Sequence, residues 1–251
     1  MYTDVTVVEN RAESETVSSL FFDRRFKARA GQFLMLWLPG VGEKPYSLSY
    51  ANGITVKKVG PFSNALASVK SGTRLAVRGP LGKGFSQMPG RVLLIGGGCG
   101  MAPLRLLAQQ VEEPLILLGG KTADDILFLK EFQGRGEVKI TTEDGSTGKK
   151  GLITELLPER ADYAALCGPE PMMAASLKLL SQERTKVFVA LERYMKCAMG
   201  LCGACTCSGY RVCVDGPVFS AATLIDMRDF GWRRRAKSGR FEPVSGGVSC
   251  F

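Results

Sequence analysis

The run Val92-Leu93-Leu94-Ile95 ends in Gly96-Gly97-Gly98-Cys99-Gly100, and a helix-forming stretch starts near Pro103. Four consecutive branched apolar residues read as a strand buried on both faces, and such strands belong to parallel sheets covered by helices on either side. The same alternation continues downstream. Strands are predicted at 115–118, 138–142, 163–167 and 187–191, with helices over 124–132 and 170–182. Strands alternating with helices require crossover connections, which predicts a doubly wound α/β domain with a parallel sheet.

The pattern differs on either side of that region. Before residue 89, short apolar and β-branched runs at 5–8, 16–22, 32–38, 46–50, 54–59 and 74–77 are punctuated by Gly, Pro and Asn, which predicts an antiparallel barrel or sandwich. After residue 191 the composition shifts to cysteine, glycine and small residues, with a Gly-Ser tail at 245–249. The expected fold is therefore α+β multidomain. Its segments are 1–89, an antiparallel β-barrel; 90–191, the α/β domain; and 192–251, a small cysteine-rich segment. A chain of 251 residues can bury a sizeable core in this way without disulfides.

The sequence contains no histidine. That excludes a Ser-His-Asp triad, a Cys-His protease, a His-ligated zinc hydrolase and any mechanism using imidazole as a base near neutral pH. Net charge is +9, with the densest basic stretch at 232–237. No nucleic-acid-binding motif accompanies it, so it reads as a solvated face or a docking patch, and no nucleic-acid partner is expected. The opening MYTDVTVVENRAES has neither the basic start nor the apolar stretch of a secretory leader, and no later run reaches the ~18 apolar residues of a membrane span. A soluble cytoplasmic protein without a membrane partner is expected.

Of eight cysteines, four fall between Cys197 and Cys207. Cys197, Cys202 and Cys205 form a C-x4-C-x2-C arrangement, and Cys213 lies eight positions further on. This is the plant-type ferredoxin spacing for a 2Fe-2S cluster, in which a loop wraps the cluster and a fourth thiolate completes it. Ala198, Gly200, Gly203 and Ala204 fit a loop whose amides must face cluster sulfurs. A zinc site would more often show two C-x2-4-C knuckles, and here there is one. Cys207 stands close enough to replace a ligand, but Cys205 and Cys207 are too near each other to reach opposite irons comfortably. Cys99, Cys167 and Cys250 read as small hydrophobes or free thiols.

The glycine turn at 96–100 resembles a nucleotide-binding turn, where missing side chains let a pyrophosphate approach the backbone. It departs from G-x-G-x-x-G, because Pro103 occupies the third glycine position counted from Gly98. Taken in chain order, the sequence resembles the ferredoxin reductase superfamily over almost its full length. Lys44-Pro45-Tyr46-Ser47 is similar to the R-x-Y-S flavin motif, and Gly79-Pro80-Leu81-Gly82 to the loop that closes the flavin barrel. Gly97-Gly98-Cys99-Gly100-Met101-Ala102-Pro103 is similar to the nicotinamide-domain turn, and Cys167-Gly168-Pro169-Glu170-Pro171-Met172 to the C-G-P-x-x-M strand end. Within the superfamily, Glu192-Arg193-Tyr194-Met195-Lys196-Cys197 and Cys213-Val214-Asp215-Gly216-Pro217-Val218-Phe219 resemble the electron-transfer subunits of type B dihydroorotate dehydrogenases.

The resemblance implies FAD in the barrel, NAD in the α/β domain, and a hetero-oligomer with an FMN-containing dihydroorotate dehydrogenase catalytic subunit. It further implies FAD contacts at Lys44, Pro45, Tyr46, Ser47, Thr55, Val56 and Lys57, with Phe62 and Ser63 replacing a Gly-Thr pair at the flavin phosphates. NAD would be met by Gly97, Gly98, Gly100, Cys167 and Gly168, and the cluster by Cys197, Cys202, Cys205 and Cys213. Hydride and electron relay through cofactors requires no acid or base side chain, which accounts for the absence of histidine. Two other readings remain. One is the small subunit of a ferredoxin-NAD(P) reductase or a sulfide dehydrogenase-like complex; the other is a non-catalytic redox-sensing or zinc-binding module.

Overall fold

The computed structural model describes residues 1–181 and 184–244. The tail at 245–249, Cys250 and the end of the helix expected to reach Gln182 lie outside the described residues. The first part is a closed antiparallel barrel, with strands β1 (Thr3–Ala12), β2 (Val17–Phe22), β3 (Phe33–Leu38), β4 (Gly42–Tyr50), β5 (Gly53–Lys57) and β6 (Arg74–Leu81) in the order β1-β2-β5-β4-β3-β6. Helix α1 (Pro61–Ala67) links β5 to β6. Alternation along β3 explains how the barrel joins its neighbour. Leu34 and Leu36 pack into the cluster shared with Leu20, Leu48 and Ile54, whereas Phe33 and Met35 point the other way, into a second cluster with Cys205, Val212 and Phe219.

The second part begins with β7 (Val92–Gly97), followed by α2 (Met101–Leu107), β8 (Leu115–Gly120), α3 (Leu129–Gln133), β9 (Glu137–Thr142), β10 (Lys149–Lys150), β11 (Tyr163–Cys167), α4 (Glu170–Leu180) and β12 (Lys186–Ala190). These strands pair in parallel in the order β10-β9-β8-β7-β11-β12. Val92 and Leu94 bury on the side of α2, through Met101, Leu104 and Leu107. Leu93 and Ile95 bury on the side of α4, through Met173, Leu177 and Leu180. The sheet is therefore doubly wound, and the unbroken apolar run of β7 follows from cover on both faces.

Two expectations are corrected here. The helix expected over 124–132 is interrupted: Phe128 adopts φ 58° and α3 starts only at Leu129. Left-handed backbone at a bulky residue cannot continue a helix. The stretch after Gly60, which on composition alone reads as a barrel loop, is helical, and the Ser63 hydroxyl accepts from the Val59 and Gly60 amides at 2.9 and 3.0 Å.

The third part holds the hairpin β13 (Thr206–Cys207) and β14 (Tyr210–Arg211), α5 (Val212–Asp215), β15 (Val218–Ser220), α6 (Ala221–Ile225), and the hairpin β16 (Arg233–Arg235) and β17 (Phe241–Pro243). β15 pairs antiparallel with β12 and so extends the nucleotide sheet by one edge strand. No helix among the described residues is long and apolar enough to cross a membrane.

Candidate functional site

The carboxyl ends of β7, β8, β9 and β11 open into a cleft of about 930 Å³ that also takes in Lys57 of the barrel. Ligands of open parallel sheets bind at such strand ends, and the volume is within the range of cofactor pockets. Glycine is required at two points of its floor. A Cβ on Gly100 would stand 2.1 Å from the Cys167 carbonyl oxygen, so the turn can press against β11 only without a side chain. Gly98 has φ 51° and nothing within 4 Å of the Cβ it lacks, leaving bare backbone facing the cleft. Gly97 and Gly168 line the same cleft with Gly98 and Gly100, whereas Cys167, expected beside them, is buried at the end of β11 and does not line it.

The cleft's electrostatics favour neutral thiols. Burial pushes the Cys99 thiol up to about 11, with Glu192 adding to the shift, and burial likewise raises buried Cys167. Glu192 is solvent-exposed at the cleft, yet surrounding protein raises its carboxyl, and Glu170 adds to this. Lys57 Nζ reaches Asp125 Oδ1 at 3.1 Å, bridging the barrel and the nucleotide sheet. A second bridge joins the barrel to α2 and α3. Arg105 of α2 stacks 3.5 Å from the centroid of the Tyr50 ring and donates to the Ser49 carbonyl at 2.9 Å. Glu131 accepts from both Tyr50 and Arg105.

Along the barrel wall, Lys44, Pro45, Tyr46 and Ser47 lie on β4, and Thr55, Val56 and Lys57 on β5, which pairs with it. Tyr46 and Phe62 stack at 6.4 Å between centroids and 23° between planes, and burial pushes the Tyr46 phenol up to about 12. The structure does not turn every expected side chain outward. The Thr55 hydroxyl is held between Ser19 and Ser49 at 2.9 and 2.8 Å, Val56 is fully buried, and the Ser63 hydroxyl caps its own helix. Contacts from these three to a ligand would come from the main chain. The Lys44 ammonium lies 4.7 Å from the ring centroid of Tyr194, in the third segment.

The thiols of the third segment form two neighbouring pairs. The Cys202 amide donates to Cys197 Sγ at 3.4 Å, and the Cys213 amide to Cys205 Sγ at 3.5 Å. Ala198, Gly200 and Gly203 have φ of 56°, 79° and 68°, which turn the loop's amides inward. Burial opposes ionisation of Cys197, but hydrogen bonds from the Met199, Cys202 and Leu201 amides outweigh it and bring the thiol down to about 6. Cys213 is pushed up to about 12 by burial and by its hydrogen bond with Cys205. No three His, Cys, Asp or Glu side chains among the described residues converge on a point that could hold one metal ion. Two thiol pairs in an amide-lined loop fit a group with two metal centres, and donor type and loop geometry agree with an iron-sulfur cluster.

Cys207 is committed elsewhere. Its sulfur accepts from Arg193 Nη2 at 3.3 Å, and the Arg193 guanidinium also pairs with Glu170 at the start of α4. Glu170 Oε2 further accepts from the Gly231 amide at 2.8 Å. Sequence reasoning missed this junction, although Arg193 and Glu170 both stand inside quoted motifs. It also missed Glu43 and Arg78, which no local pattern marks.

Residues 192–225 match the family described as the iron-sulfur cluster binding domain of dihydroorotate dehydrogenase B. The chain is 40% identical over 245 residues to the probable dihydroorotate dehydrogenase B (NAD(+)), electron transfer subunit, of Pyrococcus horikoshii, covering 95% of this chain and 97% of that one. It is 41% identical over 249 residues to the protein of the same description from Methanothermobacter thermautotrophicus, covering 92% and 93%. Among solved structures, the NADH-dependent reduced ferredoxin-NADP oxidoreductase of flavin-based electron bifurcation is similar, with 29% identity, a TM-score of 0.76 and coverage of 90% and 92%. The ferredoxin reductase of carbazole 1,9a-dioxygenase shares the fold at 22% identity and a TM-score of 0.62, covering 74% of this chain and 68% of that one.

Proposed function

Because the chain belongs to the family of dihydroorotate dehydrogenase B electron transfer subunits, we propose that it links an FMN-containing catalytic subunit, which oxidises dihydroorotate, to NAD in pyrimidine biosynthesis. The observation that carries this reading is the presence, in one chain, of a closed barrel, a glycine-floored cleft joined to it through Lys57 and Asp125, and an amide-lined group of four thiols joined to it through Arg78. FAD, once bound, exchanges hydride with the nicotinamide and single electrons with the 2Fe-2S cluster, so the chain needs no proton-transfer side chain of its own.

On this reading residues 1–89 hold FAD, 90–191 hold NAD(H) and 192–251 hold the cluster. Tyr46 and its neighbours Lys44, Pro45 and Ser47 border the flavin, with main-chain support from Thr55 and Val56, with Lys57 and with the Phe62-Ser63 turn. Gly97, Gly98 and Gly100 admit the dinucleotide backbone, while Cys167 and Gly168 border its nicotinamide. Cys197, Cys202, Cys205 and Cys213 ligate the irons. The seven cysteines among the described residues are all free of disulfides, which supports assigning the protein to the cytoplasm.

Gentle purification tests the reading. Flavin and iron-sulfur absorbance, an FMN subunit carried along in a hetero-oligomer, and NAD reduction by dihydroorotate are the expected results. Colourless protein containing zinc and no flavin would overturn it in favour of a binding module. Ferredoxin-dependent NAD(P) reduction without dihydroorotate turnover would overturn it in favour of the reductase small subunit.

A further inference from the structure

Glu43 lies on β4 immediately before Lys44-Pro45-Tyr46-Ser47, and its carboxylate is gripped by Arg78 of β6. Arg78 Nε and Nη2 donate to the two carboxylate oxygens of Glu43, each at 2.9 Å, in a bidentate fork. The remaining terminal nitrogen, Nη1, donates to the main-chain carbonyl of Cys197 at 3.0 Å. Tyr2 covers the pair: its hydroxyl donates to Glu43 Oε1 at 3.0 Å, and the guanidinium stands 5.4 Å from its ring centroid. The side chains of Arg78 and Glu43 are only 14% and 19% exposed, so solvent screens them weakly. One residue further along, Lys44 meets Tyr194, three positions before Cys197. Two consecutive residues of the flavin strand are thus tied to the chain leading into the thiol loop.

We infer that Arg78 is a positioning residue that sets the spacing between the flavin strand and the first cluster thiol, and that its charge raises the reduction potential of the cluster. The inference rests on the function proposed above. The guanidinium touches the Cys197 carbonyl, whereas Glu43 lies behind it, so the positive end of the pair is the end nearer the thiols. Nearby charge and hydrogen bonding are among the levers that set iron-sulfur potentials. The planar fork is what allows one side chain to hold a carboxylate and a carbonyl together; a lysine ammonium cannot reproduce that geometry.

The test uses the full chain with its cofactors, and compares Arg78→Met, Arg78→Lys and Glu43→Gln with the parent. Cluster potential is read by a redox titration followed by electron paramagnetic resonance. Flavin bleaching and cluster reduction after mixing with NADH are followed separately by stopped flow. Arg78→Met should lower the potential and slow cluster reduction about tenfold through misplacement of the loop, while flavin bleaching stays close to the parent. Arg78→Lys should restore part of the potential but not the rate. Glu43→Gln should shift the potential upward, opposite to Arg78→Met, a sign that a merely structural role would not produce. Should Arg78→Met fail to retain its cluster, Arg78→Lys and Glu43→Gln decide the matter. Potentials and rates equal to the parent's in variants carrying both cofactors would overturn the inference and leave the function intact. A parent protein that carries neither flavin nor cluster would overturn the function itself.

Discussion

Arg193 donates to the sulfur of Cys207 at 3.3 Å, and both residues are buried. A thiol already held by a guanidinium does not have to serve as a metal ligand, although Cys207 lies only two residues from Cys205. Replacing Cys207 with Ser should leave iron and sulfide content unchanged and cost about 1 kcal/mol of stability. Cys202→Ser should abolish the iron-sulfur absorbance while FAD content and NADH oxidation by an artificial acceptor persist. Iron analysis and visible spectra of the two variants check this, and the reverse ranking would reassign the ligands.

The same guanidinium neutralises Glu170, and the two side chains are 2% and 8% exposed. Removing one partner of such a pair leaves an uncompensated buried charge, typically costing about 3–5 kcal/mol. Arg193→Met should therefore lower the Tm by several degrees, at roughly 2–4 °C per kcal/mol for a chain of this size. Adding Glu170→Gln to Arg193→Met should recover more than half of the loss. Thermal melts of the single and double variants provide the measurement.

Arg105 joins α2 to the barrel through Ser49, Tyr50 and Glu131. Arg105→Ala should loosen the angle between barrel and sheet, and with it the fit of any ligand spanning them. The expected result is faster hydrogen exchange in 46–57 and 101–107, with NADH-driven flavin bleaching slowed by about tenfold or more. Unchanged exchange in both stretches would exclude the bridge as a determinant of that angle.

Asp229 ties the third segment together by accepting from the Ser208 amide at 2.8 Å and from Arg233 Nε at 2.6 Å. Burial opposes ionisation, but the hydrogen bonds from Arg233 and Ser208 prevail, so its carboxyl titrates below the ordinary range. A carboxyl lowered by folding contributes fully above its unfolded pKa, near ~3.9, and loses that contribution as acid protonates the folded form. Asp229→Asn should cost about 1–3 kcal/mol at neutral pH. The gap between variant and parent should close as the pH falls through the lowered folded-state pKa of Asp229, as denaturant melts across the acid range would report.

Local pattern made the sheet legible. β11 spans Tyr163–Cys167, as expected from its apolar run, and β7 is buried on both faces, as four unbroken branched residues require. The barrel strands were visible because turn residues punctuate them. The helix over 124–132 was misjudged because its apolar spacing does not reveal that Phe128 takes a left-handed conformation. α1 is hidden in the sequence because Gly60-Pro61 has the composition of a barrel loop, although proline also suits the first position of a helix. The thiol spacing stood out because its ligand candidates are close in sequence. The contact between Arg78 and Cys197 bridges 119 positions, and nothing in either neighbourhood foretells the other.

β15 has a bearing on how this chain can be cut and recombined. The three residues Val218–Ser220 cover the outer edge of β12. A chain ending near residue 191 would lose this cover and present the Lys186–Ala190 backbone to any strand it met, inviting self-association. The metal-bearing end is thus woven into the nucleotide sheet rather than appended as a cassette, and grafting it onto another reductase would require transplanting a sheet edge along with four thiols.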